Sequence, residues 1–306
     1  MNAFGAAFVK ERGDRGKIET TIESDGRTKV VVRGESHDGR RFLEAFFEAL
    51  TANDPASSAF DVDLDVKVST LTGFHGEALR DVTLLLSRRG GELVAFSLAG
   101  KFGAADLHAE MQTRPDGSRA IHLETDNAGA LFRFINVYRR IRKGSALIAI
   151  DLPVANVPAR QNIVDIRDFS IVGEPDYRPL AAGLPKSIRG DDDVLKVTHL
   201  RLGFKLSADQ VAIRDGIVAG PLFGATVEGK VSRAQDDVAL RGIIVPLFIN
   251  NGILPFTPLD LPAESLFGMS YQITGSTKTS AMRIDSFEPV VPGILRKLFT
   301  WAPDEK

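Results

Sequence analysis

The chain has 306 residues, a formal net charge of -2, 25% charged residues and 43% from the hydrophobic set. That is the composition of a folded protein with one elongated domain or two compact ones, and it lacks the basic excess of a general nucleic-acid binder or of a chain steered to anionic membranes. Cysteine is absent, which excludes disulfides, thiolate metal sites and thiol catalysis.

No hydrophobic run approaches the ~20 residues that cross a bilayer as a helix. Residues 1–15 join a short Ala/Phe/Val stretch to charges, without the basic n-region and apolar h-region of a secretory signal. If the chain is the tail of a longer protein, an export signal is expected upstream.

In chain order, strand patterns fall at 18–24 and 28–34, and a helix is predicted over 40–51. That helix puts Phe42, Leu43, Phe46, Phe47 and Leu50 on one stripe. The clearest strand follows at 59–69. There Phe60, Val62, Leu64, Val66 and Val68 alternate with Asp61, Asp63, Asp65 and Lys67, so one face is apolar and the other charged. Further strands are predicted at 79–87, 92–99, 104–112 and 118–124. A second helix is predicted over 127–142, carrying Leu131, Phe134, Ile135, Tyr138 and Ile141, with Asp126 or Asn127 as N-cap and Gly144 as stop.

Strands resume at 145–152 and 162–171. The stretch 174–193 is rich in Pro, Gly and charge and reads as a long loop. Leu200, Leu202, Phe204 and Leu206 then alternate with Arg201, Gly203 and Lys205 in a second clean strand. Strand patterns continue at 210–219, 222–232, 237–245, 268–275 and 280–286. A third helix is predicted over 293–301, with Ile294, Leu295, Leu298 and Phe299 after Pro292. Ser24-Asp25-Gly26-Arg27, Arg88-Arg89-Gly90-Gly91, Pro115-Asp116-Gly117-Ser118 and Asp215-Gly216 have hairpin-turn chemistry.

The fold class is therefore mainly β: an elongated antiparallel meander sheet, curved or folded into a groove, with about three short amphipathic helices. So few helices cannot cover so many one-sided strands. The apolar faces must pack on another sheet, close into a barrel, or line a groove that needs a ligand.

The residues offer little for catalysis. Dinucleotide and phosphate-binding glycine patterns, HExxH and G-x-S-x-G are all missing. Ser36-His37-Asp38 has triad residue types, but neighbours in sequence do not make triad geometry, and a turn or cap before the helix is the ordinary role. His108 and His122 could meet across the hairpin turned at Pro115, but no third metal ligand is evident. Asp61, Asp63 and Asp65, ~7 Å apart along one strand face, read as a solvated face, as does the triplet Asp191-Asp192-Asp193. Arg139, Arg140, Arg142 and Lys143 form the densest basic cluster. They suit either the C-terminal dipole of the predicted helix or phospholipid head groups. No catalytic residue, metal or cofactor is assigned, and an enzyme ranks last.

The second half resembles the AsmA-like C-terminal region of large bacterial envelope proteins. The resemblance begins near Asp126. Asn127-Ala128-Gly129-Ala130-Leu131-Phe132 leads through Tyr138-Arg139-Arg140-Ile141-Arg142-Lys143-Gly144, where the family usually has two glycines. It strengthens at Asp215-Gly216-Ile217-Val218-Ala219-Gly220-Pro221, with Gly224 and Gly229 following. Leu240-Arg241-Gly242-Ile243-Ile244-Val245-Pro246, Ile249-Asn250, Leu254-Pro255, Leu266-Phe267-Gly268, Tyr271 and Gly275 come next, and the closing segment is Val291-Pro292-Gly293-Ile294-Leu295-Arg296-Lys297-Leu298-Phe299. Two places depart from the family pattern. Phe256-Thr257-Pro258 stands where a glycine follows Leu-Pro, and Asp285-Ser286-Phe287-Glu288-Pro289 where Asn-Pro precedes the last helix.

The resemblance covers roughly the last 180 residues. It divides the chain into a β-rich segment with one helix at 1–125, continuous with the sheet that follows, and an AsmA-like region at 126–306. It implies a periplasm-facing protein, attached to the inner membrane through an upstream segment. Its expected role is binding or conducting phospholipid between the inner and outer membranes, in outer membrane biogenesis. The groove candidates are Phe60, Val62, Leu64, Val66, Leu200, Leu202, Phe204 and Leu206, each equally a candidate core residue. Candidates for contact with a membrane surface or an envelope protein partner are Arg139, Arg140, Arg142, Lys143, Ile294, Leu298, Phe299 and Trp301. The alternative is a structural or assembly module of the envelope with a closed β core and no lipid.

Overall fold

The computed structural model describes residues 14–51, 61–152, 162–173, 194–207, 210–221, 223–232, 235–246, 267–276 and 279–289. Phe60, the loop at 174–193 with its aspartate triplet, and the helix predicted at 293–301 with Ile294, Leu298, Phe299 and Trp301 lie outside these residues. The fold is mainly β, as the alternation predicts, with two helices among the described residues. The chain divides into two compact units, Met1–Ile163 and Val164–Lys306. The resemblance to the AsmA-like region thus begins inside the first of them.

The first unit contains β1 (Arg15–Ile22), β2 (Thr28–Asp38), α1 (Arg40–Thr51), β3 (Val62–Thr72), β4 (Ala78–Arg89), β5 (Glu92–Phe102), β6 (Ala105–Thr113), β7 (Arg119–Thr125), α2 (Ala128–Phe134) and β8 (Ile141–Leu152). Each strand pairs with its neighbour in sequence. The turns between them use the glycines read from the sequence: Gly26, Gly90, Gly91 and Gly117 all take positive φ.

Two features differ from a plain meander with long helices. First, β2 and β3 are parallel, with Val30 opposite Leu64 and Val32 opposite Val66. The connection between them contains α1, which lets the chain return to the starting end, as a parallel pair requires. Second, the helix predicted over 127–142 is short. Asn127 caps it, its side chain accepting the Ala130 N–H at 3.0 Å, but it ends at Phe134. Asn136 turns the chain with φ 57, and Ile141 already belongs to β8. Tyr138 and Ile141 fit a helical spacing on paper. In the fold Ile141 is a buried strand residue, and Lys143 and Gly144 (φ 58 and 81) make a bend inside β8.

The apolar face of the first unit is closed. Val62, Leu64 and Val66 are 2%, 4% and 1% exposed. They share this interior with Val30, Val32, Leu84, Leu86 and Phe96. Helix α1 lies on the same side, where Phe46 stacks on Phe96 with centroids 5.2 Å apart and on Phe42 at 5.9 Å. Helix α2 covers the end of the sheet, with Phe134 edge-on to Phe102 at 5.4 Å. Gly73 is needed beneath it, because a Cβ there would come within 2.3 Å of the Phe134 ring.

The outer face carries organised charge. Asp63 accepts from Arg27 at 3.0 Å, Arg89 at 2.7 Å and Ser87 at 2.7 Å, and Asp65 pairs with Arg33 at 2.6 Å. Burial opposes the charged form of Asp63, but the Ser87 and Arg89 hydrogen bonds and the Arg89 and Arg27 charges outweigh it. The carboxyl is held below its ordinary range.

The second unit holds most of β9 (Asn162–Val172), then β10 (Val194–Leu206), β11 (Gln210–Ala219), β12 (Phe223–Ser232), β13 (Asp237–Pro246), β14 (Phe267–Gly275) and β15 (Ser280–Pro289). From β10 to β15 every pairing is antiparallel and between sequence neighbours. Asp215-Gly216, a turn by composition, is instead an irregularity within β11, with Asp215 at φ 50 and a register shift between Ile213 and Gly216. A bulge and a tight turn draw on the same left-handed backbone, so the dipeptide alone does not separate them.

Leu84 is 1% exposed and the next residue, Leu85, is 49% exposed. Leu84→Ala should cost about 2–5 kcal/mol of stability and Leu85→Ala less than about 0.5 kcal/mol, read by denaturant unfolding. Equal losses would contradict the assignment of the faces.

Candidate functional site

Residues directly opposite one another on paired strands project to the same face of a sheet. In the second unit this builds three apolar rows across the strands. One runs Leu200, Val218, Ala225, Ile244, Met269. The next runs Phe204, Ile213, Gly229, Leu240, Ile273, Met282. The third runs Leu206, Val211, Val231, Val238. Leu202 lies between the first two, beside Gly216. This face has a small buried centre, Ala225, Ile244 and Tyr271, with Val218, Phe223, Ile273, Met282 and Ile284 packed around it.

Burial separates this face from its counterpart in the first unit. Leu200, Leu202, Phe204 and Leu206 are all only half-buried, as are Val211, Ile213, Leu240 and Ile273. Val62, Leu64 and Val66, chosen on the same alternation, are core residues. The two groups of groove candidates thus fall in different environments. The β10 group lines a partly open apolar surface, and the β3 group fills a closed interior.

The polar feature of this face is Tyr271, which is 6% exposed. Its hydroxyl donates to the Thr226 carbonyl at 2.7 Å, reaching across β13. Gly242 makes that possible. A Cβ at residue 242 would stand 1.9 Å from the Thr226 carbonyl oxygen and 2.9 Å from the tyrosine ring. Thr226 Oγ1 in turn accepts the Ile243 N–H at 3.1 Å. A break in the β12–β13 ladder is thus satisfied by side chains, as buried backbone polar groups must be. Burial of the phenol disfavours the phenolate and raises its pKa above the ordinary tyrosine value.

The remaining candidates are dispersed. His37 is buried and its Nδ1 lies 3.0 Å from Asp14, while Asp38 caps α1 by accepting the Arg40 N–H at 3.1 Å. Alternation along β2 sends the two side chains to opposite faces, so Ser36-His37-Asp38 is no triad. His108 and His122 are not opposite each other: His108 faces Glu124, and His122 faces Glu110. Among the described residues no group of three or more His, Cys, Asp or Glu is placed to hold a metal ion. Arg139, Arg140, Arg142 and Lys143 do not end a helix. They lie after α2, across the turn and the first residues of β8.

Comparison with known protein families, with curated proteins and with solved structures finds no match for this chain.

Sequence alternation in β10 identified one margin of the apolar face and missed the rest. Val218, Ile244, Ile273 and Met282 join it only through register. The available signal was the same period-two pattern, but bulges between Arg201 and Gly203 and between Ile213 and Gly216 shift its phase. Tyr271 stood out in the sequence only as one position of the AsmA-like resemblance, with nothing to mark its hydrogen bond to Thr226.

Tyr271→Phe removes the hydroxyl that donates to the Thr226 carbonyl and should cost roughly 1–3 kcal/mol. The folded-state pKa is raised, so the stability tied to the neutral phenol is present below ~10 and falls as pH rises through and above that value. Denaturation measured across that range should show a steeper loss for the wild type than for Tyr271→Phe.

Proposed function

We propose that the chain is a non-enzymatic, lipid-binding or lipid-conducting segment of a bacterial envelope protein, with the apolar face of the second unit as its lipid-binding groove. The observation that carries this is the half-buried state of Leu200, Leu202, Phe204 and Leu206 on a face that continues through β11 to β15. An acyl chain laid on such a face contributes ~0.8 kcal/mol for each methylene removed from water. It demands no polar partner, in keeping with rows that hold apolar side chains and glycine. The resemblance of the second half to the AsmA-like C-terminal region supports the same proposal. It adds the expected setting: attachment to the inner membrane, a periplasmic position and phospholipid moving between two membranes. No helix among the described residues is long and apolar enough to cross a membrane, so attachment would fall to another segment.

One observation favours the alternative of a structural or assembly module. The first unit buries its apolar strand face with its own side chains, leaving Val62, Leu64 and Val66 less than 5% exposed. A protein built in this way throughout would hold no lipid.

Native mass spectrometry with lipid extraction, on protein purified from bacterial membranes, separates the two. The groove predicts co-purifying phospholipid in the wild type, lost in a folded Leu202→Asp/Phe204→Asp variant. It also predicts that Leu64→Asp abolishes folding instead, because that site is core. Lipid-free wild-type protein, or lipid retained in the double variant, would move the assignment to the structural module.

A further inference from the structure

The turn between α2 and β8 is held rigidly and concentrates positive charge. Its backbone is fixed at several points. Phe74 N–H donates to the Phe134 carbonyl at 3.0 Å, and Val137 N–H to the Phe132 carbonyl at 2.9 Å. His75 Nε2 meets Asn136 Oδ1 at 2.7 Å. Arg133 binds Glu77 at 2.6 Å and the Ile141 carbonyl at 2.6 Å, so this arginine and this acid neutralise each other. Beyond them come four cations in five positions, Arg139, Arg140, Arg142 and Lys143.

Arg139, Arg142 and Lys143 are exposed, and none of them pairs with a carboxylate among the described residues. Arg142 is steadied by the backbone carbonyls of Arg139 at 2.6 Å and Ile141 at 3.0 Å. Val137, beside them, is 47% exposed. A helix-dipole role for these cations is removed, because α2 ends at Phe134, well before them.

We infer that this knuckle, residues 136–143, is a docking surface for an anionic phospholipid bilayer. The chain as a whole has a net charge of -2, so the local excess of cations is set against the overall balance. Lys and Arg near an anionic membrane are attracted over about one Debye length. An exposed valine among them can enter the boundary between head groups and acyl chains. A backbone held by these hydrogen bonds presents both together at a reduced ordering cost on contact. The inference deepens the lipid-handling proposal by naming where a bilayer is met, and it uses none of the residues of the apolar face.

The test is co-sedimentation of the full chain with vesicles of phosphatidylcholine alone, or with ~30 mol% phosphatidylglycerol, at ~50 and ~300 mM salt. Binding should need the anionic lipid, weaken at the higher salt, and fall at least ~10-fold in Arg139→Glu/Arg142→Glu/Lys143→Glu. Val137→Asp should also weaken it. Lys17→Glu/Lys29→Glu, on β1 and β2, should leave it unchanged, and circular dichroism should show every variant folded. Equal binding to both vesicle types, full binding by the triple variant, or an equal loss in the β1–β2 variant would overturn the inference. So would full displacement from anionic vesicles by soluble polyglutamate, which would indicate an acidic protein partner. The Leu202→Asp/Phe204→Asp variant should still bind vesicles, so failure of the groove and failure of the knuckle give different results.

Discussion

Every strand from β1 to β8 and from β10 to β15 takes its hydrogen-bond partners from its neighbours in sequence, and beyond the largely exposed β1 the strands present apolar side chains that the ladder itself cannot cover. Something else must keep water from them. In the first unit α1 and α2 share the task, through Phe42, Phe46, Leu131 and Phe134. At about 25 cal/mol per Å² of apolar area removed from water, this cover is what makes the one-sided strand pattern stabilising. In the second unit the apolar face of β10 to β14 has a small buried centre of Ala225, Ile244 and Tyr271, with Val238 also buried and mostly half-buried side chains elsewhere on it. The same strand chemistry thus gives a closed core in the first unit and a face of mostly half-buried side chains in the second.

Polar groups obey the same constraint from the other side. On the outer face of the first unit, Asp63 lies between Arg27, just before β2, and Arg89 on β4, and Asp65 pairs with Arg33 on β2, so these carboxylates meet cations and not like charges. Such exposed pairs contribute little to stability one by one. They do disfavour a register slip, which would turn carboxylates into the interior. On the apolar face of the second unit, Tyr271 solves a sharper problem. It brings a hydroxyl to the Thr226 carbonyl where the β12–β13 pairing skips from Ala225 to Glu228, and its ring packs close to Gly242.

Much of this was legible in the sequence, because period-two alternation survives in a single chain. The pattern from Val62 to Val68 placed β3 and its faces correctly, and the glycine turns at Gly26, Gly90 and Gly117 are where composition put them. What failed did so for local reasons. Tyr138 and Ile141 continue a helical spacing past Phe134, but one αL residue, Asn136, is enough to end the helix. Asp215-Gly216 has the composition of a turn and the role of a bulge. Between β2 and β3 the direction of pairing depends on where the chain re-enters the sheet, and no residue spells that out. Burial was least legible of all, because alternation marks a face without saying what lies over it. Leu64 and Leu202 sit in similar patterns, yet Leu64 is core on the side where α1 lies and Leu202 is half-buried.

The glycines that carry the resemblance to the AsmA-like region have a physical role here. Gly242 lets Tyr271 reach Thr226, and Gly220 is packed against Phe223, where a Cβ would come within 2.6 Å of the ring. Gly229 stands in the middle of an apolar row at φ 137, with the Ala239 carbonyl 2.1 Å from where a Cβ would be. These positions set how closely backbone and side chains approach on one face of β11 to β14. They lower the relief of that face and leave its chemistry to Leu200, Leu202, Phe204 and their partners in register. A surface shaped by glycine and lined by apolar side chains discriminates poorly between head groups and well between apolar and polar occupants.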